Sequence, residues 1–195
     1  MRINRYLGRG YRSTAAHVLQ QAFNEKLKGI LGAEEEIHQV ILASLDAKHI
    51  IVARSSEGEL IGVAAYQHNG QCTLNISLSI MIKVYGLIRG LYKMMQLIMY
   101  FPSKRDKDVV YVDAIAVDEN FRGLGVGKML LEEVEKLALE HHARYVSLDV
   151  IKENPRAKKL YEQIGFVEVK YNELDERTSD KLGFSGYYYM MKVIG

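Results

Sequence analysis

A chain with one cysteine cannot close a disulfide on itself, and Cys72 is the only cysteine in these 195 residues. The same count leaves no thiolate pair for a metal, so no metal is expected and a reducing cytoplasm is the expected compartment. No histidine is placed to activate the thiol, and Cys72 reads as a small, partly buried residue. Charge of one sign is also scarce: 26 Lys and Arg stand against 24 Asp and Glu, a net +2 with no basic block, which argues against nucleic acid as a partner. No stretch reaches the roughly 18 uncharged residues of a membrane span. The basic opening MRINRYLGRGYR lacks the apolar run of a secretory signal. Repeats and low-complexity tracts are missing, and the only prolines are Pro102 and Pro155. What is present, 48% hydrophobic residues over this length, suits one domain spanning 1–195 with one substantial core.

The most informative stretch is Arg122 to Lys128, RGLGVGK. Before it lies Val109 to Val117, rich in β-branched residues and closed by the turn signal Asp118, Glu119 and Asn120. After it, Val126 to His142 places Leu130, Leu131, Val134, Leu137 and Ala138 at helical spacing. Gly123, Gly125 and Gly127 lie between strand and helix. Glycines there let successive N–H groups converge, the first turn of a helix has N–H groups without partners, and Arg122 and Lys128 add full positive charge. Such a stretch binds an anion, or it is a tight turn with no ligand. A nucleoside-triphosphate loop would need Gly in place of Arg122 and Ser or Thr in place of Met129, so that reading fails. A dinucleotide fingerprint would need G-x-G-x-x-G where this chain has G-x-G-x-G. Asp149, about 20 residues on, stands where a ribose-binding acid would, and keeps that reading open.

The pattern R-x-x-G-x-G from Arg122 resembles the acyl-CoA-binding motif of the GCN5-related N-acetyltransferase family. Asn154 to Phe166, NPRAKKLYEQIGF, is similar to its second signature, N-x-x-A-x-x-x-Y-x-x-x-G-F. The match is close over 109–171, whereas the first hundred residues agree only in the order of their elements. The resemblance implies acetyl-CoA as the acyl donor, held by the loop Arg122, Gly123, Leu124, Gly125, Val126, Gly127 and Lys128 and by Asn154, Ala157 and Lys158. It implies that backbone groups of Ile115, Ala116 and Val117 lie along the cofactor, and that Tyr161 is the donor to the leaving thiolate.

The remaining chain reads as a mixed α/β protein, a mostly antiparallel central sheet with flanking helices. Ile3 to Leu7 is expected as a strand. A helix capped by Ser13 or Thr14 should carry Ala16, Leu19, Phe23 and Leu27 and end near Gly29 or Gly32. A second should open on Glu34, Glu35 and Glu36, where acidic residues favour a helix start, with Ile37, Val40, Ile41 and Leu45 inside. His49 to Arg54 and Leu60 to Gln67 form a hairpin around Ser56-Glu57-Gly58, and Cys72 to Ser77 is expected to extend the sheet. Arg144 to Val150, Phe166 to Tyr171 and Gly186 to Ile194 are further strands, with Asn172 to Ser185 a polar loop. Asn154 and Pro155 open a helix that Gly165 ends.

Residues 79–101 depart from the family pattern. They read as an amphipathic helix with Lys83, Gly86, Arg89, Gly90, Lys93 and Gln96 on one arc and Ile, Val, Leu, Met and Tyr elsewhere. The apolar face would be covered by the sheet or by a second subunit in a homodimer, would form a flexible wall of an acceptor pocket, or would lie on a membrane; two glycines and no Trp weigh against the membrane. A covered face would make Ile88→Asp unfold the protein.

Acetyl transfer to an amine requires a neutral nitrogen, delivered as such or freed of its proton by a base or through water. Asp113, two residues before Ile115 on an apolar strand, is the candidate, and period two puts it on the face of Ile115 and Val117. The chain thus reads as an N-acetyltransferase acting on a small-molecule or peptide amine. Transfer of another acyl chain, transfer to a hydroxyl, and CoA binding without turnover are the alternatives.

Overall fold

The computed structural model describes residues 1–101 and 106–194. In chain order it has β1 (Arg2–Asn4), α1 (Arg12–Leu31), α2 (Glu34–Ser44), β2 (Ile50–Arg54), β3 (Leu60–His68), β4 (Gln71–Cys72), α3 (Leu78–Tyr85) and α4 (Leu87–Tyr100). There follow β5 (Val109–Val117), α5 (Val126–Glu140), β6 (Tyr145–Ile151), α6 (Pro155–Gln163), β7 (Val167–Glu173), α7 (Glu176–Leu182) and β8 (Gly186–Val193). These form an α/β fold with an 8-stranded sheet, β1-β2-β3-β5-β6-β8-β7, with β4 pairing off β3. β5 and β6 pair in parallel, and the other pairs are antiparallel. No helix among the described residues is long and apolar enough to cross a membrane.

Strand alternation distributes the core over both faces of the sheet. Ile50, Val52 and Val63 pack with Leu19, Phe23, Leu27 and Ile37 of α1 and α2. Val110, Val112, Val146, Leu148 and Val150 pack with Leu130, Leu131, Val134 and Leu137 of α5 on the other side. Each fully buried aliphatic side chain contributes about 1.5–3 kcal/mol.

Where the sequence signals are local, the elements follow them, and where a distant partner intervenes, they shift. The start of α2 matches its acidic signal, since the Glu36 carboxylate accepts from the Ala33 N–H at 3.2 Å. α1 begins at Arg12, before Ser13 and Thr14, because the Arg12 guanidinium donates to the Leu42 and Leu45 carbonyls at the end of α2. It runs through Gly29, where a side chain would collide with the Lys181 carbonyl of α7, and stops at Gly32. Cys72 to Ser77 is not a full strand: pairing ends at Cys72, apart from one bridge from Leu74 to Leu45. The expected polar loop after β7 contains α7, opened by the Asp175 carboxylate accepting from the Thr178 N–H at 3.0 Å and ended by a left-handed Gly183.

Residues 79–101 are not one helix but two, broken at Gly86 (φ 77°). They fold against each other through Gly90, where a Cβ would stand 2.8 Å from the Met81 carbonyl. The polar arc of α4 turns inward: the Lys93 ammonium donates to the Ile30 and Leu31 carbonyls at 2.6 and 3.0 Å, capping α1, and Gln96 is buried. These bonds hold the polar arc against the end of α1, although burial pulls the Lys93 ammonium below the usual lysine range. The apolar arc therefore faces outward, with Ile88 82% exposed. In thermal melts Ile88→Asp is expected to retain the midpoint, within about 0.5 kcal/mol. Gly90→Ala is expected to lower it, although helix propensity alone would raise stability by about 1 kcal/mol.

Candidate active site

The parallel ladder between β5 and β6 runs from Val109 opposite Tyr145 to Val112 opposite Leu148, although both strands continue. Past that point β5 keeps β3 as its neighbour and β6 keeps β8, which leaves an opening between them. The Asp118 N–H bonds the Ile61 carbonyl. Antiparallel alternation then turns the N–H and C=O of Ile115 and Val117 away from β3, toward the opening.

The glycine loop stands beside that edge. The Arg122 guanidinium donates to the Val117 carbonyl at 3.2 Å, and a Cβ on Gly127 would lie 3.8 Å from a Val117 methyl. Gly123 and Gly125 are left-handed (φ 80° and 79°), and nothing lies within 4 Å of where their side chains would be. The first helical bond of α5 is from the Met129 N–H to the Gly125 carbonyl, so the N–H groups of Val126, Gly127 and Lys128 have no acceptor inside the helix. Leu124 is exposed, and Lys128 has a loose partner in Glu132, at 3.8 Å, among the described residues. A concave, positively biased backbone of this kind suits phosphate groups.

On the far side of the opening, Asn154 caps α6 by accepting from the Ala157 N–H at 3.1 Å. Lys158 is committed within the chain, donating to Glu168 at 2.7 Å and lying 3.8 Å above the Tyr188 ring. Tyr161 is half-buried, packs on the cluster that also holds Ile115 and Val117, and has its ring 5.9 Å from Phe166. Burial pushes its phenol up to about 12.

The α1 face of the sheet carries a cavity of about 920 Å³. Asp113 lines it, but not on the face of Ile115 and Val117. Tyr66 opposes Val112 and Ala65 opposes Ala114, so Asp113 is an extra residue, a bulge that breaks period two. Ile115 and Val117 consequently join the α5 side, while Asp113 looks into the cavity. The Gln67 amide donates to the Asp113 carboxylate at 2.6 Å.

Three further cavity groups were not singled out as an acceptor site in the sequence. Asp149, considered there for a ribose, accepts from the Tyr111 hydroxyl at 2.6 Å, and its buried Oδ1 has no hydrogen-bond partner among the described residues. Lys26 sits near both carboxylates; burial pulls its ammonium below the usual lysine range, with Asp149 and Asp113 opposing that shift. Tyr111 is driven well up by burial and by the charges of Asp149 and Asp113, and stays an un-ionised donor. The alternation of Asp149 against Val146, Leu148 and Val150 was the one available signal; Lys26 had none. Cys72 lines the same cavity, its thiol pushed up by burial and by Asp113, which disfavours a nucleophilic thiolate.

Residues 17–166 match the Acetyltransferase (GNAT) family. The chain belongs to that family. A relative from Arabidopsis thaliana, described as GCN5-related N-acetyltransferase 4, chloroplastic, is 31% identical over 118 residues, 56% of this chain and 40% of its own length. The chain thus spans well under half of that relative. Among solved structures, an N-acetyltransferase from Staphylococcus aureus Mu50 has a TM-score of 0.65 at 16% identity, over 98% of this chain and 100% of its own. The ribosomal-protein-S18-alanine N-acetyltransferase from Escherichia coli scores 0.60 at 18% identity, over 100% of this chain and 94% of its own. At those identities the likeness concerns the fold.

The three glycines of the GNAT loop are not equivalent. Gly125→Ala is expected to destabilise by about 1–2 kcal/mol, because its left-handed backbone disfavours a side chain. Gly127→Ala, inside α5 with room for a methyl, is expected to be neutral or stabilising by up to about 1 kcal/mol. Denaturant titration of both variants checks this.

Proposed function

We propose that this GNAT chain transfers acetyl from acetyl-CoA directly to a primary amine bound in the cavity beside Asp113. The observation that carries this reading is the pairing of two unlike sites across the parted strands: a positively biased glycine cradle on one side and a cavity with two carboxylates on the other. Acetyl-CoA would supply the acyl group as a thioester. Arg122, Gly123, Leu124, Gly125, Val126, Gly127 and Lys128 would hold its phosphates, and the outward backbone groups of Ile115 and Val117 its amide-bearing arm, with Ala116 between them. Asn154, Ala157 and Lys158 would border the arm from α6. The chain 1–195 is taken as one domain with α3 and α4 inserted, in a reducing compartment such as the cytoplasm that suits the Cys72 thiol.

In this reading the acceptor arrives as an ammonium and is held by carboxylate charge. Asp113 takes its proton, which leaves a nucleophilic nitrogen. Tyr161 then stabilises the departing thiolate. With a phenol near 12 against about 8.5 for an ordinary thiol, full proton transfer to sulfur would be uphill by several kcal/mol. Tyr161 accordingly works by donating a hydrogen bond, an effect worth on the order of 100-fold in turnover for one well-placed donor.

Thermal melting with acetyl-CoA, CoA, NADH, NADPH and ATP in parallel tests the cofactor. Acetyl-CoA and CoA should raise the midpoint, by about 2.7 kcal/mol of stability at a hundredfold excess over Kd; a shift with NADH alone would overturn the reading. Tyr161→Phe should lower kcat on the order of 100-fold while retaining the acetyl-CoA shift. Because that phenol remains protonated until about pH 12, the substitution should leave the shape of the pH–rate profile unchanged. Asp113→Asn should remove the acid-side limb of the profile; an unchanged limb excludes it as the base.

A further inference from the structure

The apolar face that α4 turns outward has a regular spacing. Ile88, Leu91, Met95 and Ile98 recur at steps of three, four and three, the seam of a helix that packs on another helix. They are 82%, 47%, 58% and 62% exposed. With Leu87, Tyr92 and Met99 beside them, they leave on the order of 800 Å² of largely apolar surface uncovered. The largest such patch on a typical monomer is about 300–600 Å² and is often a binding surface.

Whatever covers this face must match it in shape and charge, and a second copy of the chain does both. The seam carries no charge, so two copies related by a two-fold axis bring no like charges together. Its spacing also reads the same from either end. Laid antiparallel, Ile88 faces the partner's Ile98 and Leu91 faces the partner's Met95. The groove between α3 and α4, lined by Leu78, Met95, Ile98 and Met99 among others, lies toward the end of α4 away from Ile88. The most exposed side chain of each copy thus meets a recess in the other. Covering most of this surface on both copies removes roughly 1,200–1,600 Å² from water, the range of specific, stable interfaces. A membrane suits the face less well. Of the three cations in α3 and α4, Lys93 is held by the α1 carbonyls and Arg89 pairs with Glu36 at 3.4 Å, which leaves Lys83. An interfacial helix presents several to the headgroups.

We propose that the outward face of α4 is a homodimer interface, in which the α4 helices of two copies pack antiparallel about a two-fold axis at the level of Lys93. The same patch serves both copies, so the assembly closes at two. Lys93 and Gln96 fix α4 to its own chain, and the opposite arc fixes it to the other. The four seam residues lie outside the buried clusters of the single chain, so each copy folds alone. An apolar interface of this size without a charged anchor has a Kd of micromolar order. The unchanged melting midpoint expected of Ile88→Asp is therefore a property of the single chain, read well below that concentration.

The test is sedimentation equilibrium of the full chain from well below to well above micromolar concentration. The expected result is one chain at the low end and two at the high end, with a wild-type melting midpoint that rises with concentration. Ile88→Asp and Met95→Glu should each raise Kd on the order of 100-fold or more, since each buries a carboxylate in the seam of both copies. Diluted until wild type is also single, both variants should melt with it. Register is read by mild oxidation in a Cys72→Ser background: Leu91→Cys mixed with Met95→Cys should form a disulfide-linked pair, and either variant alone should not. A single chain at every concentration overturns the proposal, and so does a dimer that Ile88→Asp leaves intact. Preferential linking of Leu91→Cys to itself overturns the antiparallel pairing. A chain that stays single in solution and binds phosphatidylserine vesicles through Ile88 assigns the face to a membrane and overturns the proposal as well.

Discussion

Two strands that begin as a parallel pair and then part frame the candidate site in this protein. Pairing from Val109 to Val112 with Tyr145 to Leu148 anchors them, and beyond it each is held by a different antiparallel neighbour. Backbone N–H and C=O groups are obligatory hydrogen-bonding groups, so an edge inside a sheet calls for a partner from outside the ladder. The glycine loop, the start of α5 and Tyr161 are arranged around that edge. The cavity with Asp113 and Asp149 lies on the α1 face beside it.

The bulge at Asp113 decides which side chains of β5 face the cavity and which face α5. One extra residue in β5 rotates the strand's alternation, so that Ile115 and Val117 pack on the α5 side while the carboxylate just before them enters the cavity. Without it, Asp113 would share a face with Ile115 and Val117, and a charge there would be buried among aliphatic side chains at heavy cost.

In the helical pair α3–α4 the polar arc of α4 packs inward and its apolar arc faces outward, the reverse of the usual pattern. Lys93 and Tyr85 bond the last carbonyls of α1, and Gly90 lets the two helices approach closely enough for Lys93 to reach them. Hydrogen bonds to a charged donor are worth about 1.5–3 kcal/mol each. Fixing the polar arc inward leaves the apolar arc outside, next to the mouth of the cavity. An arrangement that is unfavourable for an isolated domain becomes explicable if that face binds something.

Much of the molecule was legible in the residues themselves. β-branched runs, acidic helix starts, Asn154-Pro155 and the glycine spacing act within a few residues of where they stand, so β2, β3, β5, β6 and β8, the start of α2, the α5 face and the family followed from them. Tertiary structure decided what depended on distant partners. Arg12 reaches the end of α2 at the start of α1; Lys93 of α4 packs against the end of α1; the register of β5 on β3 carries the bulge at Asp113; and the fold brings Lys26 to Asp149 across more than a hundred residues of chain. Local propensity is carried by neighbours in sequence, but burial and charge pairing are set by neighbours in space, and those exist only after the chain has folded.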